Sequence, residues 1–259
     1  RCRMVITVSQ FECDRIRTAL NFDPGRIMAI HNGYNDRFRP MEGTAETVRK
    51  YLRDPEYLFF LGNTDPKKNT PGTLKAYAEY VRRSENPLPL LVADLGEQPA
   101  EAILREIGEP RLRGMLRLAG YIPNSDLPAI YNRASAFLYT SLRESFGIPQ
   151  LEAMACGTPV VTSATSAIPE VAGEGAILVD PTDPKAIADA LLRLETDAAF
   201  RARQVAYGLD RVKQFSWEKT ARHFTNRSGR QTEYRTAEIS CSGFKTPDSR
   251  IAKVRYITL

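Results

Sequence analysis

The sequence has few of the residues that most often carry metal or covalent chemistry. Among 259 residues there are two histidines and four cysteines. Cys2, Cys13, Cys156 and Cys241 show no Cys-x-x-Cys spacing, so nothing supports a zinc site or a Cys–His nucleophile pair, and a reducing compartment is the simpler reading. A Gly-x-Gly-x-x-Gly turn and a Walker-type loop are both missing, which removes direct support for a dinucleotide cofactor or a P-loop nucleotidase. No apolar run approaches the roughly 20 residues of a membrane span, and a secretory leader is not expected. A cytoplasmic protein is expected, and peripheral attachment at the inner face of the membrane is compatible with that.

Charge of one sign is scarce too. The 36 basic and 31 acidic residues give +5, and the last 34 residues account for most of it. Arg227, Arg230, Arg235, Lys245, Arg250, Lys253 and Arg255 face only Glu233, Glu238 and Asp248 there, so the tail carries +4 and the rest +1. No basic patch with interleaved aromatics occurs before the tail, so nucleic acid is not an expected partner. The tail reads as a solvated extension rather than a membrane-binding arm.

What is present is alternation. Short apolar runs near 57–61, 88–93, 115–118, 135–140, 158–162 and 176–179 are separated by helical patterns near 69–84, 97–107, 125–133, 149–156, 167–172 and 183–206. Runs without polar alternation suit strands buried on both faces, so the expected fold class is α/β, a Rossmann-like parallel sheet with helices on both faces. Ligands in such sheets bind beyond the carboxyl ends of the strands, where Gly62, Tyr121 and Glu144 fall.

One stretch is denser in information than the rest. From Glu144 the chain reads Glu-Ser-Phe-Gly147-Ile-Pro149-Gln-Leu-Glu152-Ala-Met-Ala-Cys-Gly157-Thr-Pro-Val-Val161. Pro149 fits a first helical turn, where the missing N–H costs nothing, and Gly157 fits the left-handed residue that ends a helix. Glu144 then lies on the loop before the helix and Glu152 about one turn inside it. Both can face a ligand on the Gly-Ile-Pro junction, where free N–H groups favour an anion.

This string resembles the E-x7-E signature of the retaining "group 1" glycosyltransferases with the GT-B fold. Two further segments are similar to that family: Gly62-Asn63-Thr-Asp-Pro-Lys67-Lys68-Asn69, and Gly120-Tyr121-Ile122-Pro123 followed by Asp126-Leu-Pro-Ala-Ile-Tyr131. Ala167-Ile-Pro-Glu170 also matches and reads as scaffold, as do His31 and His223. The Ile6-Thr-Val-Ser9 and His31-Asn-Gly33 segments resemble the crossover between the family's two domains. The resemblance runs from about residue 4 to residue 225, and it implies the C-terminal half of a GT-B fold. Residues 1–40 are expected as crossover from an N-terminal domain that lies before this chain, 41–225 as the nucleotide-sugar-binding domain, and 226–259 as an unassigned basic tail.

The resemblance also implies roles. Lys68, with Lys67 and N–H groups of the 147–150 junction, would support the diphosphate in place of a metal ion, so neither metal nor cofactor is expected. Asn63, where many members have arginine, leaves the second positive charge open between positions 63 and 67. Glu152 would grip the ribose, while Tyr121 and Ile122 would border the base. Glu144, with Ser145, Phe146, Gly147 and Ile148, would orient the donor sugar. Expected partners are a nucleotide sugar, with GDP-mannose favoured by the Ser166-Ala-Ile-Pro-Glu170 wording, and a glycan or lipid-linked acceptor held by the preceding domain. Two alternatives stand beside a transferase: a GT-B-fold sugar-nucleotide epimerase, and a nucleotide-binding module that turns nothing over alone.

Overall fold

The computed structural model describes residues 4–228. The basic tail expected at 226–259 lies, but for its first three residues, outside them.

The chain starts with β1 (Val5–Thr7), α1 (Gln10–Leu20) and β2 (Ile27–Ala29), whose two strands pair in parallel. The segment expected as a crossover thus folds as a local β–α–β unit. Its small core is Cys13, Ile16 and Ile27, flanked by Val5, Phe22 and Ala29. Ser9 caps α1 by accepting from the Glu12 N–H.

After α2 (Ala45–Arg49) comes the main domain. It runs β3 (Leu58–Leu61), α3 (Thr70–Arg83), β4 (Leu90–Ala93), α4 (Glu97–Glu106), β5 (Leu116–Gly120), α5 (Leu127–Arg133) and β6 (Ala136–Tyr139). Then follow α6 (Ile148–Ala155), β7 (Val160–Ser163), α7 (Ile168–Ala172), β8 (Ile177–Val179), α8 (Pro184–Thr196), α9 (Ala198–Arg211) and α10 (Trp217–Ser228). All six strands of the second sheet are parallel, in the order β5-β4-β3-β6-β7-β8. The Rossmann-like α/β class expected from the alternation is what forms.

Side-chain alternation divides the core in two. Phe59, Leu91, Phe137 and Val160 face a layer shared with α5, α6 and α7. Leu58, Phe60, Leu90, Val92, Leu138 and Val161 face the other, with α3, α4 and α8. Burial on both faces is why these strands are mostly apolar, and the buried hydroxyls of β7, Thr162 and Ser163, donate to the Tyr139 and Ser141 carbonyls.

One expected element is corrected. The pattern at 183–206 reads as a single helix, but the chain breaks at Asp197, which has φ −113° and ψ 89°. Its carboxylate accepts from the Phe200 N–H and starts α9 afresh. Apolar periodicity continues across such a break because both helices pack on the same body.

The strand order sets where a ligand goes. From β3 the chain winds outward through β4 to β5, then returns to β6, beside β3, and winds the other way. The crossovers diverge between β3 and β6, and a crevice opens at the carboxyl ends of those two strands. Among the described residues no helix is long and apolar enough to cross a membrane.

Candidate functional site

The loops after β3 and β6 meet over this crevice. The first, 62–69, begins where the Gly62 N–H donates to the Ala93 carbonyl. It ends at Asn69, held in left-handed geometry at φ 55°, whose amide donates to the Thr140 and Pro181 carbonyls. The Leu142 N–H donates to the Lys67 carbonyl at 2.7 Å and joins the two loops directly.

The paired lysines separate here. Lys68 is half-buried, and its Nζ donates to Glu144 Oε1 at 2.8 Å. It also stands 5.5 Å from the centre of the Tyr139 ring, above a buried aromatic face. Lys67 is exposed and contributes its backbone. The Asn63 side-chain oxygen accepts from the Asp65 N–H, so that group serves the turn.

Glu144 is held from three sides. Besides Lys68, its own N–H donates to Ser166 Oγ at 3.0 Å. Tyr139, at the end of β6, lies beneath the carboxylate; burial first, and then Glu144, hold the phenol well above its ordinary pKa. Ser166 has φ 54°, a left-handed backbone that a non-glycine residue adopts at some cost. Tyr139 is not a candidate site residue from the sequence, Ser166 enters there only through the 166–170 wording, and no spacing rule points to either as a support of Glu144.

Helix α6 begins with Gly147 at φ 99°, and an added Cβ there would come within 2.8 Å of the Gln150 amide and 3.2 Å of the Tyr139 ring. Only glycine fits, and no side chain caps the first turn of α6, whose first N–H groups have no intrahelical partner. Pro149 sits in the first turn as expected. At the other end Gly157, φ 78°, and Thr158 return N–H groups to Met154 and Ala153 in a Schellman motif. Glu152 lies one turn into α6, half-buried, and burial pushes its carboxyl up to about 7 against the opposing charge of Arg37.

The other predicted residues divide. Phe146 is buried and packs on His31 and Phe215 at ring-centre distances of 5.7 and 5.9 Å, so its side chain belongs to the core. Ser145 Oγ donates across to Glu12 of α1. Ile148 is half-buried at the first position of α6. Tyr121 is 73 % exposed just beyond β5, while Ile122 beside it is buried. Asp94, at the end of β4 with φ 61°, is exposed as a residue, yet its carboxyl is partly desolvated and held above the usual carboxylate range, with Lys68 opposing that shift.

Glu170, expected as scaffold, makes long-range contacts. Its carboxylate accepts from the Gln10 and Phe11 N–H groups at the start of α1 and takes His31 Nε2 at 2.6 Å. It thereby fastens the β–α–β unit over the 143–146 loop. Among the described residues there is no cluster of three or more His, Cys, Asp or Glu able to hold a metal ion.

Comparison with known proteins bears on this arrangement. A family model described as "Glycosyl transferases group 1" matches residues 45–211. The O-antigen chain mannosyltransferase B of Escherichia coli is 33% identical over 220 residues, which are 83% of this chain and 58% of that protein. Sucrose-phosphate synthase from Thermosynechococcus elongatus superposes with a TM-score of 0.71 at 26% identity, covering 87% of this chain and 57% of that one. HepE of Anabaena, solved in complex with UDP and glucose, superposes with a TM-score of 0.74 at 17% identity, covering 88% and 63%. The chain therefore spans little more than half the length of these relatives.

Proposed function

The chain belongs to the group 1 glycosyl transferases, with the GT-B fold, and on that premise we propose that it is the donor-binding part of a retaining hexosyltransferase. The observation that carries the reading is the Lys68–Glu144 pair, 2.8 Å apart at the switch point and beside the N-terminus of α6. A cation and converging N–H groups suit the diphosphate of a nucleotide sugar, whose charge grows as the glycosidic bond breaks. In this reading Lys68 shifts from Glu144 towards the diphosphate, and Glu144 is freed to orient the sugar near its anomeric carbon. Its catalytic role is positioning in the transition state. Glu152 accepts from the ribose hydroxyls, and the backbone at Tyr121 and Ile122 borders the base.

The protein's own donors replace a metal ion, so no metal is required. The E. coli relative is named a mannosyltransferase, which favours GDP-mannose as donor. The glycan or lipid-linked acceptor is bound by a part of the parent protein outside this chain, and the chain alone is not expected to turn over.

Titration calorimetry with UDP, GDP and ADP, in the presence of EDTA, tests this. One diphosphate is expected to bind saturably, GDP in this reading, and Glu152→Ala to weaken it by about 1–3 kcal/mol. Binding that requires added divalent metal, or that is indifferent to Glu152, would sink the assignment.

A further inference from the structure

We propose that Ser166 is a positioning residue for Glu144: its hydroxyl holds the Glu144 backbone so that the carboxylate is aimed at the donor sugar. The end of β7 and the turn after it carry a series of hydroxyls, and each takes one backbone group of the segment that leaves β6. Thr162 Oγ1 donates to the Tyr139 carbonyl at 2.9 Å, Ser163 Oγ to that of Ser141 at 2.6 Å, and Thr165 Oγ1 to that of Leu142 at 3.1 Å. Ser166 ends the series and reverses it, since its Oγ accepts the Glu144 N–H at 3.0 Å. The Glu144 carbonyl is taken in turn by the Ala167 N–H at 3.4 Å. Both backbone groups of Glu144 are thereby tied to 166–167, which fixes the direction in which its side chain leaves the loop to meet Lys68.

The backbone at Ser166 shows that this bond comes at a cost. Among the described residues the non-glycine positions with positive φ are Asn21, Asn69, Asp94 and Ser166. Asn and Asp are the side chains that tolerate this region best, and serine lacks their advantage. A glycine at 166 would take φ 54° without strain but would remove the acceptor of the Glu144 N–H. Serine therefore accepts a local strain for a hydroxyl whose partner is the motif glutamate, which is how strain is commonly placed at working sites. The inference rests on reading Glu144 as the sugar contact, and the test separates the two.

Three variants part the hydroxyl from the strain. Ser166→Ala keeps the strain and loses the hydroxyl, Ser166→Gly loses both, and Ser166→Thr keeps both and adds a β-branch. Each is followed by thermal unfolding, by NMR exchange of the Glu144 amide, and by calorimetry with GDP-mannose against GDP and UDP-glucose against UDP. Ser166→Gly is expected to melt about 2–4 °C above Ser166→Ala, with Ser166→Thr below the parent chain. The Glu144 amide is expected to exchange about tenfold faster in Ser166→Ala and Ser166→Gly, and at the parent rate in Ser166→Thr. The affinity that the sugar adds to the diphosphate should fall about three- to tenfold in Ser166→Ala and Ser166→Gly alike and be retained in Ser166→Thr. GDP and UDP alone should bind equally to all four chains. A sugar gain that instead follows melting temperature across the variants shows a structural role only and overturns the proposal. So does a sugar gain unchanged in both Ser166→Ala and Ser166→Gly. Glu144→Ala in the same titrations tests the reading underneath. Loss of the sugar gain there, but not in the Ser166 variants, refutes Ser166 alone. A gain that survives Glu144→Ala, or a parent chain that shows none, refutes the sugar contact and the role of Ser166 together.

Discussion

Lys67 and Lys68 are neighbours in sequence, yet only Lys68 turns inward, where Glu144, the Tyr139 ring and the field of Asp94 converge on it. A half-buried charge with such partners is pre-oriented, whereas an exposed lysine must be ordered when a ligand arrives. Lys68→Ala is accordingly expected to weaken diphosphate binding by about 1.5–3 kcal/mol, the range for a hydrogen bond to a charged group. Lys67→Ala should cost less than about 1 kcal/mol, as exposed ion contacts do. Equal losses in parallel titrations would show that the phosphate lies outside the crevice. The sequence points to Lys68 and leaves a second charge open between positions 63 and 67, because a turn of three residues can present either side chain; here Asn63 serves the turn and Lys67 is exposed.

At the scale of elements, α6 is the part most completely legible beforehand. Its proline start, glycine stop and both glutamates stand where the spacing places them. What the spacing leaves out is the support beneath it. Tyr139 closes the space beside Gly147, so the left-handed turn is fixed by packing as well as by local preference. Gly147→Ala is expected to destabilise the domain by about 1–3 kcal/mol, measured by denaturant unfolding, because the added methyl group meets both a strained backbone and filled space. It should also weaken nucleotide binding by tilting the first N–H groups of α6. Unchanged unfolding and unchanged affinity together would mean that the turn is less constrained than its geometry implies. The break at Asp197 is the converse case. A capping aspartate inside an apolar pattern is visible in sequence, but its competition with a continuous helix is decided by how α8 and α9 pack.

At the scale of the whole molecule, the β–α–β unit and the main domain are fastened through few contacts. Glu170 takes two N–H groups of α1 and His31, while Arg143 and Ser145 reach Glu12. His31 also packs between Phe146 and Phe215, so the loop that carries Glu144 is pinned from the same side. Glu170→Ala is expected to raise hydrogen exchange across residues 5–29 and in the 143–146 loop, with β3, β4 and β6 unchanged. Exchange that stays protected in the small unit would show that its own core, rather than the Glu170 clasp, holds it in place.

Local chemistry determined a good deal of this protein. Apolar runs without polar alternation specified strands buried on both sides, and the Glu144–Val161 string specified a loop, a helix and a strand in register. Those features are set by neighbours within one turn or one strand, which a sequence displays directly. The clasp at Glu170 and the serine behind the Glu144 N–H join positions separated by 22 to 160 places in the chain, and Tyr139 lies buried under Glu144. No spacing encodes such pairs. They exist because the strand order returns β6 to the side of β3, and that order is settled by which faces bury together.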